Sequence, residues 1–183
     1  MQLKQVKPQS ESIIGLEVHV QLDAQSKLFC RCSTDYRNNE PNHNVCITCT
    51  SHPGSKPWPI NESALKNVVK IALALGCKIN VGEPIYMQRK HYFYPDLASG
   101  YQRTSKPFAV GGELLGVGIT EVHLEEDPGN YELKKGLVDF NRSGIPLIEI
   151  VTDPDMTTPS QARGFLEEIS AILDYLHAVN DEP

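Results

Sequence analysis

Carboxylates and imidazoles at alternate positions of two strand-like stretches are where this chain can do chemistry. In Ile13–Leu22, the residues Ile14, Leu16, Val18, Val20 and Leu22 alternate with Gly15, Glu17, His19 and Gln21. Side chains on a strand change faces at every residue, so one face is apolar and the other carries Glu17 and His19. Val117–Asp127 repeats the device, with Glu121, His123 and Glu125 on one face and Val122 and Leu124 on the other. The same alternation sends Glu126 to the face opposite Glu125. A single strand of this kind is equally well explained as the solvated outer face of an antiparallel sheet. Two of them, with acids and imidazoles rowed along sheet faces, suit hard-cation coordination and proton or phosphoryl chemistry.

A second cluster is made of sulfur. Cys30 and Cys32, then Cys46 and Cys49, form two close pairs on a stretch rich in Pro, Asn and Ser that shows no sustained period over 28–60. Thiolates at this spacing can close on one tetrahedral ion at about 2.3 Å per bond, and the loop has no other visible support. A structural zinc knuckle over 28–50 is the reading, with His43 or His52 able to replace a cysteine. Disulfides are the rival, disfavoured in a reducing compartment. Cys77, at the end of a helix, reads as a small buried hydrophobe.

The elements that must position these groups are legible from their ends. Asn61 caps a helix whose stripe is Leu65, Val68, Val69, Ala72 and Leu73, and Gly76 closes it. Residues 85–110 are extended and aromatic. Strands are expected at about 114–125, 136–140 and 145–151, separated by turns at Asp127–Gly129 and Ser143–Gly144. Thr158, Pro159 and Gln161 supply an N-cap, an N1 proline and a capping-box partner for a last helix. Its apolar stripe runs through Ala162, Phe165, Leu166, Ile169, Ile172, Leu173 and Leu176. Strands interrupted by two amphipathic helices predict an α+β domain with a largely antiparallel sheet. The expected organisation is a polar leader at 1–11, one domain over 12–177, and a tail or truncation point at 178–183.

Composition bounds the function. The chain has 183 residues, 40% of them hydrophobic and 22% charged, which is the balance of an ordinary globular protein. No apolar run approaches the roughly 20 residues that span a bilayer, and the N-terminus lacks a signal-peptide core. A soluble cytoplasmic protein with no membrane partner is therefore expected. A net charge of −6 argues against a surface broadly built for phosphate backbones. Basic spots exist locally at Arg89, Lys90 and His91, and at Arg103 with Lys106.

Six motifs in order carry a resemblance. Ile14–Leu22, Lys90–Asp96, Gly100–Gln102, His123–Asp127, Val138–Arg142 and Pro146–Val151 together resemble the N-terminal part of the B subunit of the aspartyl/glutamyl-tRNA amidotransferases, from about residue 12 to 177. The related archaeal E subunit shares the general pattern. The resemblance implies a catalytic domain like the cradle of glutamine synthetase. It implies ATP- and Mg²⁺-dependent phosphorylation of the side-chain carboxylate of mischarged Glu-tRNA(Gln) or Asp-tRNA(Asn). Ammonia released by the A subunit then displaces phosphate, within a heterotrimer completed by a C subunit.

That chemistry gives the residues roles. A carboxylate becomes a good electrophile only as an acyl phosphate, and making one requires cations that neutralise both anions. Glu17, Glu125 and Glu149 are the expected magnesium ligands, with His19 as nitrogen ligand or orienting partner; these four are the candidate catalytic set. Glu149 interrupts the apolar run Ile145–Val151, where an ionised carboxylate is costly unless paired or bound to a cation. Its alternative is an ion pair with Arg142 or Lys90. Lys90, Arg89 and Arg142 are the candidates for the ATP phosphates. Tyr92, Phe93 and Tyr94 can stack on an adenosine or serve the core. The B subunits of this family are much longer, so the chain reads as an N-terminal fragment, or one part of a split subunit, expected to be inactive alone. Two rival readings remain: a zinc-stabilised docking module without turnover, and a metal hydrolase using His19 and His123.

Overall fold

A computed structural model describes residues 12–179; the polar leader at 1–11 and residues 180–183 lie outside the described residues. The chain runs β1 (Glu17–Gln21), α1 (Glu62–Ala74), β2 (Lys78–Ile79), β3 (Met87–His91), β4 (Tyr101–Ser105), β5 (Ala109–Leu114), β6 (Val117–Glu126), β7 (Asn130–Glu132), β8 (Leu137–Asp139), β9 (Pro146–Thr152) and α2 (Pro159–Tyr175). The architecture is α+β, as composition and period predict.

Seven strands form one sheet in the order β1-β9-β6-β4-β3, with β5 beside β6 and β2 beside β5. Every pairing in it is antiparallel. The long β6 is its spine. One half of it takes β5 as a hairpin partner, and Glu125 at the other half meets Thr104 of β4. The expected strand at 136–140 is shorter and belongs elsewhere: β7 and β8 make a separate two-stranded ribbon. The strand expected from residue 114 begins instead at Val117, because Leu115 and Gly116 form the turn with positive φ (53° and 77°) and Leu114 ends β5.

The helices start as their caps dictate. The Asn61 side chain accepts from the Ala64 N–H, and Thr158 and Gln161 close a capping box. Both helices pack on the apolar back of the sheet. Val68, Ile71 and Ala72 from α1 and Phe165 and Ile169 from α2 join Val122, Leu124, Ile148 and Ile150 in one core. Each such large side chain contributes roughly 1.5–3 kcal/mol by leaving water. The stripes are narrower than their spacing suggests, since Leu73 and Leu166 remain exposed. At the expected tail, Ala178 is buried and its carbonyl accepts from the Asp23 N–H (2.9 Å), so the described fold extends past α2.

Candidate functional site: an acidic cluster backed by four thiols

Register builds the front of the sheet. His19 on β1 lies opposite Glu149 on β9, and Glu149 lies opposite His123 on β6. Glu125 follows two residues after His123 on the same face. His19 Nε2 is 3.5 Å from Glu149 and 3.6 Å from Glu125. Ligand atoms of His19, Glu125 and Glu149 all fall within 4.8 Å of one another. This is not a solvated outer face: Glu125 is completely buried and Glu149 nearly so.

The electrostatics are those of acids confined together. Gln102 Nε2 donates to Glu125 Oε2 at 3.2 Å, whereas Glu125 Oε1 is buried without a hydrogen-bond partner among the described residues. Burial opposes ionisation of Glu125, but hydrogen bonding to His19 and Glu149 outweighs it and holds the carboxyl below its ordinary value. Glu149 moves the other way, raised by burial and then by Glu125. His19 is raised by its contact with Glu125, against burial, with Glu149 and Glu17 adding to the effect. Two carboxylates held this close, with one buried oxygen unpartnered, fit a hard divalent cation.

Glu17 does not join this cluster. It lies two residues along the same face, opposite Val151, in a cleft of about 510 Å³ shared with Lys90, Glu121, His123 and Glu149. Glu121 and His123 pair with each other there at 3.0 Å. On the other side of the cluster a second cleft, of about 450 Å³, is lined by His19, Gln21, Tyr92, Gln102 and Asp127.

The three cations expected at phosphates are separated by the fold. Lys90 pairs in register with Gln102 and so shares the acidic face. Arg89 reaches the rim of the larger cleft, but its register partner is Arg103 and its guanidinium lies 5.3 Å over the Tyr101 ring. Arg142 is engaged in a turn: it donates to the carbonyls of Pro128 (2.9 Å) and Gly129 (2.7 Å) and lies 3.4 Å from Asp127. Of the two alternatives for Glu149, Arg142 is spent elsewhere, whereas the Lys90 charge does act on the Glu149 carboxyl across the cleft, with His19 in closer contact at 3.5 Å. Tyr92, Phe93 and Tyr94 are all exposed, which removes a core role for them.

Behind β6 the face reverses as alternation predicts. Glu126 turns away from Glu125 and pairs with Arg103 at 2.7 Å. Beside it, the thiols of Cys30, Cys32, Cys46 and Cys49 gather within 4.8 Å of one another, with neither His43 nor His52 in the group. All four are free. A hydrogen bond from Cys30, opposed by burial and assisted by Lys27, pulls the Cys49 thiol down to about 5. Burial and the Cys49 charge push Cys32 up to about 11. Four sulfurs in such a group can hold one soft or borderline metal ion.

Several residues that shape these sites have roles that residue type and spacing alone do not give. Lys27 is almost fully buried against Cys49, although an isolated lysine in a loop reads as solvated. Gln102 and Thr104 reach Glu125 only because β4 lies beside β6, a long-range pairing. Asp127 takes a 2.6 Å hydrogen bond from Gln21, and the alternation of β1 does place Gln21 on the acidic face.

An α+β domain able to hold cations at two chemically different clusters is the class these features define. The chain belongs to the GatB/GatE catalytic domain family, whose model matches residues 12–182. It is 63% identical over 161 residues to the B subunit of the aspartyl/glutamyl-tRNA(Asn/Gln) amidotransferase of Methanothermobacter thermautotrophicus, covering 88% of this chain and 36% of the relative. The protein of the same name from Methanocaldococcus jannaschii is 58% identical over 168 residues, covering 92% of this chain and 36% of that relative. Its Methanopyrus kandleri counterpart is 59% identical over 162 residues, covering 88% and 35%. The chain thus spans about a third of the length of these curated relatives. No helix among the described residues is long and apolar enough to cross a membrane.

Proposed function

We propose that this chain is the N-terminal part of the catalytic cradle of an amidotransferase B subunit. In that role it works with A and C subunits to convert mischarged Glu-tRNA(Gln) or Asp-tRNA(Asn) into Gln-tRNA(Gln) or Asn-tRNA(Asn). The reaction is an ATP-dependent carbon–nitrogen ligation: the substrate carboxylate takes the γ-phosphoryl group, and ammonia displaces phosphate to leave the amide. Family membership and the names of the relatives support the assignment to this complex. The observation that carries the chemistry is the buried Glu125, with one oxygen unpartnered and Glu149 beside it.

Glu125, Glu149 and His19 would hold Mg²⁺, with Glu17 further along the same face. The ion supplies positive charge where two anions must approach. The chain's own residues do the rest by position. His19 helps to keep Glu125 ionised, and Gln102 orients it through a hydrogen bond to Oε2. Lys90 lies on the same face as the acids, within reach of phosphates in the larger cleft. Arg142 shapes the turn at Asp127–Gly129 and through it the wall of the smaller cleft. Arg89 and the exposed Tyr92 and Phe93 line the approach for ATP or the tRNA terminus.

The four thiols would hold structural zinc, which orders the loop over 28–50 and braces β6 from behind. The test is ATP hydrolysis dependent on mischarged tRNA, in the assembled complex, for Glu125→Gln and Glu126→Gln. Glu125→Gln should lower it by about 10²–10³-fold. Near-normal turnover in Glu125→Gln sinks the reading and leaves a docking module.

A further inference from the structure

We propose that Lys27 is a positioning residue of the thiol cluster: its buried ammonium offsets the excess negative charge of a tetrathiolate zinc site and ties Cys49 to the β8–β9 connection.

The geometry is unusual for a lysine. Lys27 is 1% exposed, one of the largest fully buried side chains among the described residues. Its Nζ donates to the Asn44 carbonyl at 2.8 Å, to the Phe140 carbonyl at 3.4 Å and to Cys49 Sγ at 3.6 Å. Its backbone N–H donates to the Cys32 carbonyl at 2.9 Å. One residue therefore touches both cysteine pairs and a segment more than a hundred positions away. The three acceptors satisfy the three ammonium protons, so hydrogen bonding is complete. Charge is not. Among the described residues no carboxylate accepts from Nζ, and the one anion-forming group in contact is the Cys49 sulfur.

A buried charge without a counter-charge is expensive. A zinc ion on four thiolates has the complementary problem, since it retains two negative charges in excess. The Lys27 charge does act on Glu126, but that carboxylate makes its contact with Arg103 at 2.7 Å and none with Nζ, so Cys49 is the anion-forming group that Nζ touches. Lys27 thus resolves two costs at once, and partners of this kind around a metal are worth about 10–100-fold in affinity.

This inference rests on the zinc reading, and the experiment separates the two. Zinc content of the full chain is measured first; a wild-type chain that holds none overturns the zinc reading, and this one with it. Given zinc, its release to a chromophoric competing chelator is followed without denaturant. Lys27→Met keeps the stem and removes the charge, and it should lose zinc about 10–100-fold more readily. Wild-type retention in Lys27→Met overturns the proposal. Lys27→Arg keeps the charge in another shape and should retain zinc better than Lys27→Met; equal loss overturns it. Ser143→Ala removes a neutral hydrogen bond to the Cys49 carbonyl (3.2 Å) and should leave release unchanged. In a Cys49→Ser background the thiolate beside Nζ is gone, so adding Lys27→Met should lower thermal stability less than it does in the wild type, leaving only the loss of the bonds to the Asn44 and Phe140 carbonyls. An equal drop in both backgrounds, or failure of Lys27→Met to fold in both, marks Lys27 as a plain tie between loops. Folding only in the Cys49→Ser background supports the proposal.

Discussion

Replacing Glu149 with glutamine should move activity and stability in opposite directions. The substitution keeps shape and removes one charge. What it loses in the fold is the attraction to the exposed Lys90 and the pair with His19 at 3.5 Å, and His19 is 40% exposed, so solvent screens both. Such a pair contributes about 0–1 kcal/mol. What it gains is relief from burial and from the neighbouring Glu125, the two effects that raise the Glu149 carboxyl. The net is about 0–1 kcal/mol of stabilisation in metal-free protein, or up to about 2–4 °C for a domain of this size. Mg²⁺ should then distinguish the two proteins. At a hundredfold excess over its Kd the ion adds about 2.7 kcal/mol to the wild type and little to the variant. Turnover in the complex should fall by about 10²–10³-fold. The assay is thermal melting with and without Mg²⁺, alongside ATP hydrolysis dependent on mischarged tRNA. A variant that melts several degrees lower, responds to Mg²⁺ like the wild type and keeps its activity would show Glu149 to be part of an ordinary ion pair.

Other outcomes follow from the same geometry. About one zinc per chain should be found, and its removal should raise hydrogen exchange over 28–60 before the sheet, because that loop has little core of its own; uniform loss of protection refutes this. Glu126→Gln should cost about 1–3 kcal/mol by unpairing Arg103, yet change turnover per folded molecule far less than Glu125→Gln. The reverse order of activities would overturn the assignment of faces. In metal-free protein His19 should titrate above its ordinary 6.5, held up chiefly by Glu125. Its contribution to stability is then complete below 6.5 and lost as pH rises through the folded-state value; an NMR titration at or below 6.5 contradicts it.

Alternation carried much of the front of the sheet. A period of two sets Glu17 with His19 in Ile14–Leu22, and Glu125 against Glu126 in Val117–Asp127, because the pleat leaves no alternative; that the two strands share one face comes from their register with β9. Helix ends were equally legible, since Asn61, Thr158 and Gln161 act on their own neighbours. What escaped depends on partners distant in the chain. The depth at which Glu125 sits is set by β4, and the isolation of Glu17 from the cluster by its pairing with Val151. β5 is hidden by Gly111 and Gly112, which weaken any strand pattern. Gly112 is required there: a Cβ would strike the Leu75 carbonyl and the Cys77 sulfur. Arg142 and Lys90 look alike in sequence, and only the turn at Asp127–Gly129 shows that one is spent on carbonyls.

The loop that carries the thiols is short in sequence, but its walls are not local. Asn42 bonds to the backbone of residues 138 and 140, the Asn44 N–H donates to the Asn141 side chain, and Ser143 reaches back to Cys49 across 94 positions. During synthesis, therefore, both cysteine pairs leave the ribosome long before the segment that encloses them exists. Closing so long a loop is slow relative to local structure. The thiols should remain open to alkylation in stalled nascent chains ending before residue 137, and become protected only once residues up to about 144 have emerged. Protection in the shorter chains would mean that the four sulfurs assemble on their own. If they do not, metal capture is a late step of folding, and the thiol cluster behind is enclosed just before β9 adds Glu149 to the acidic face in front.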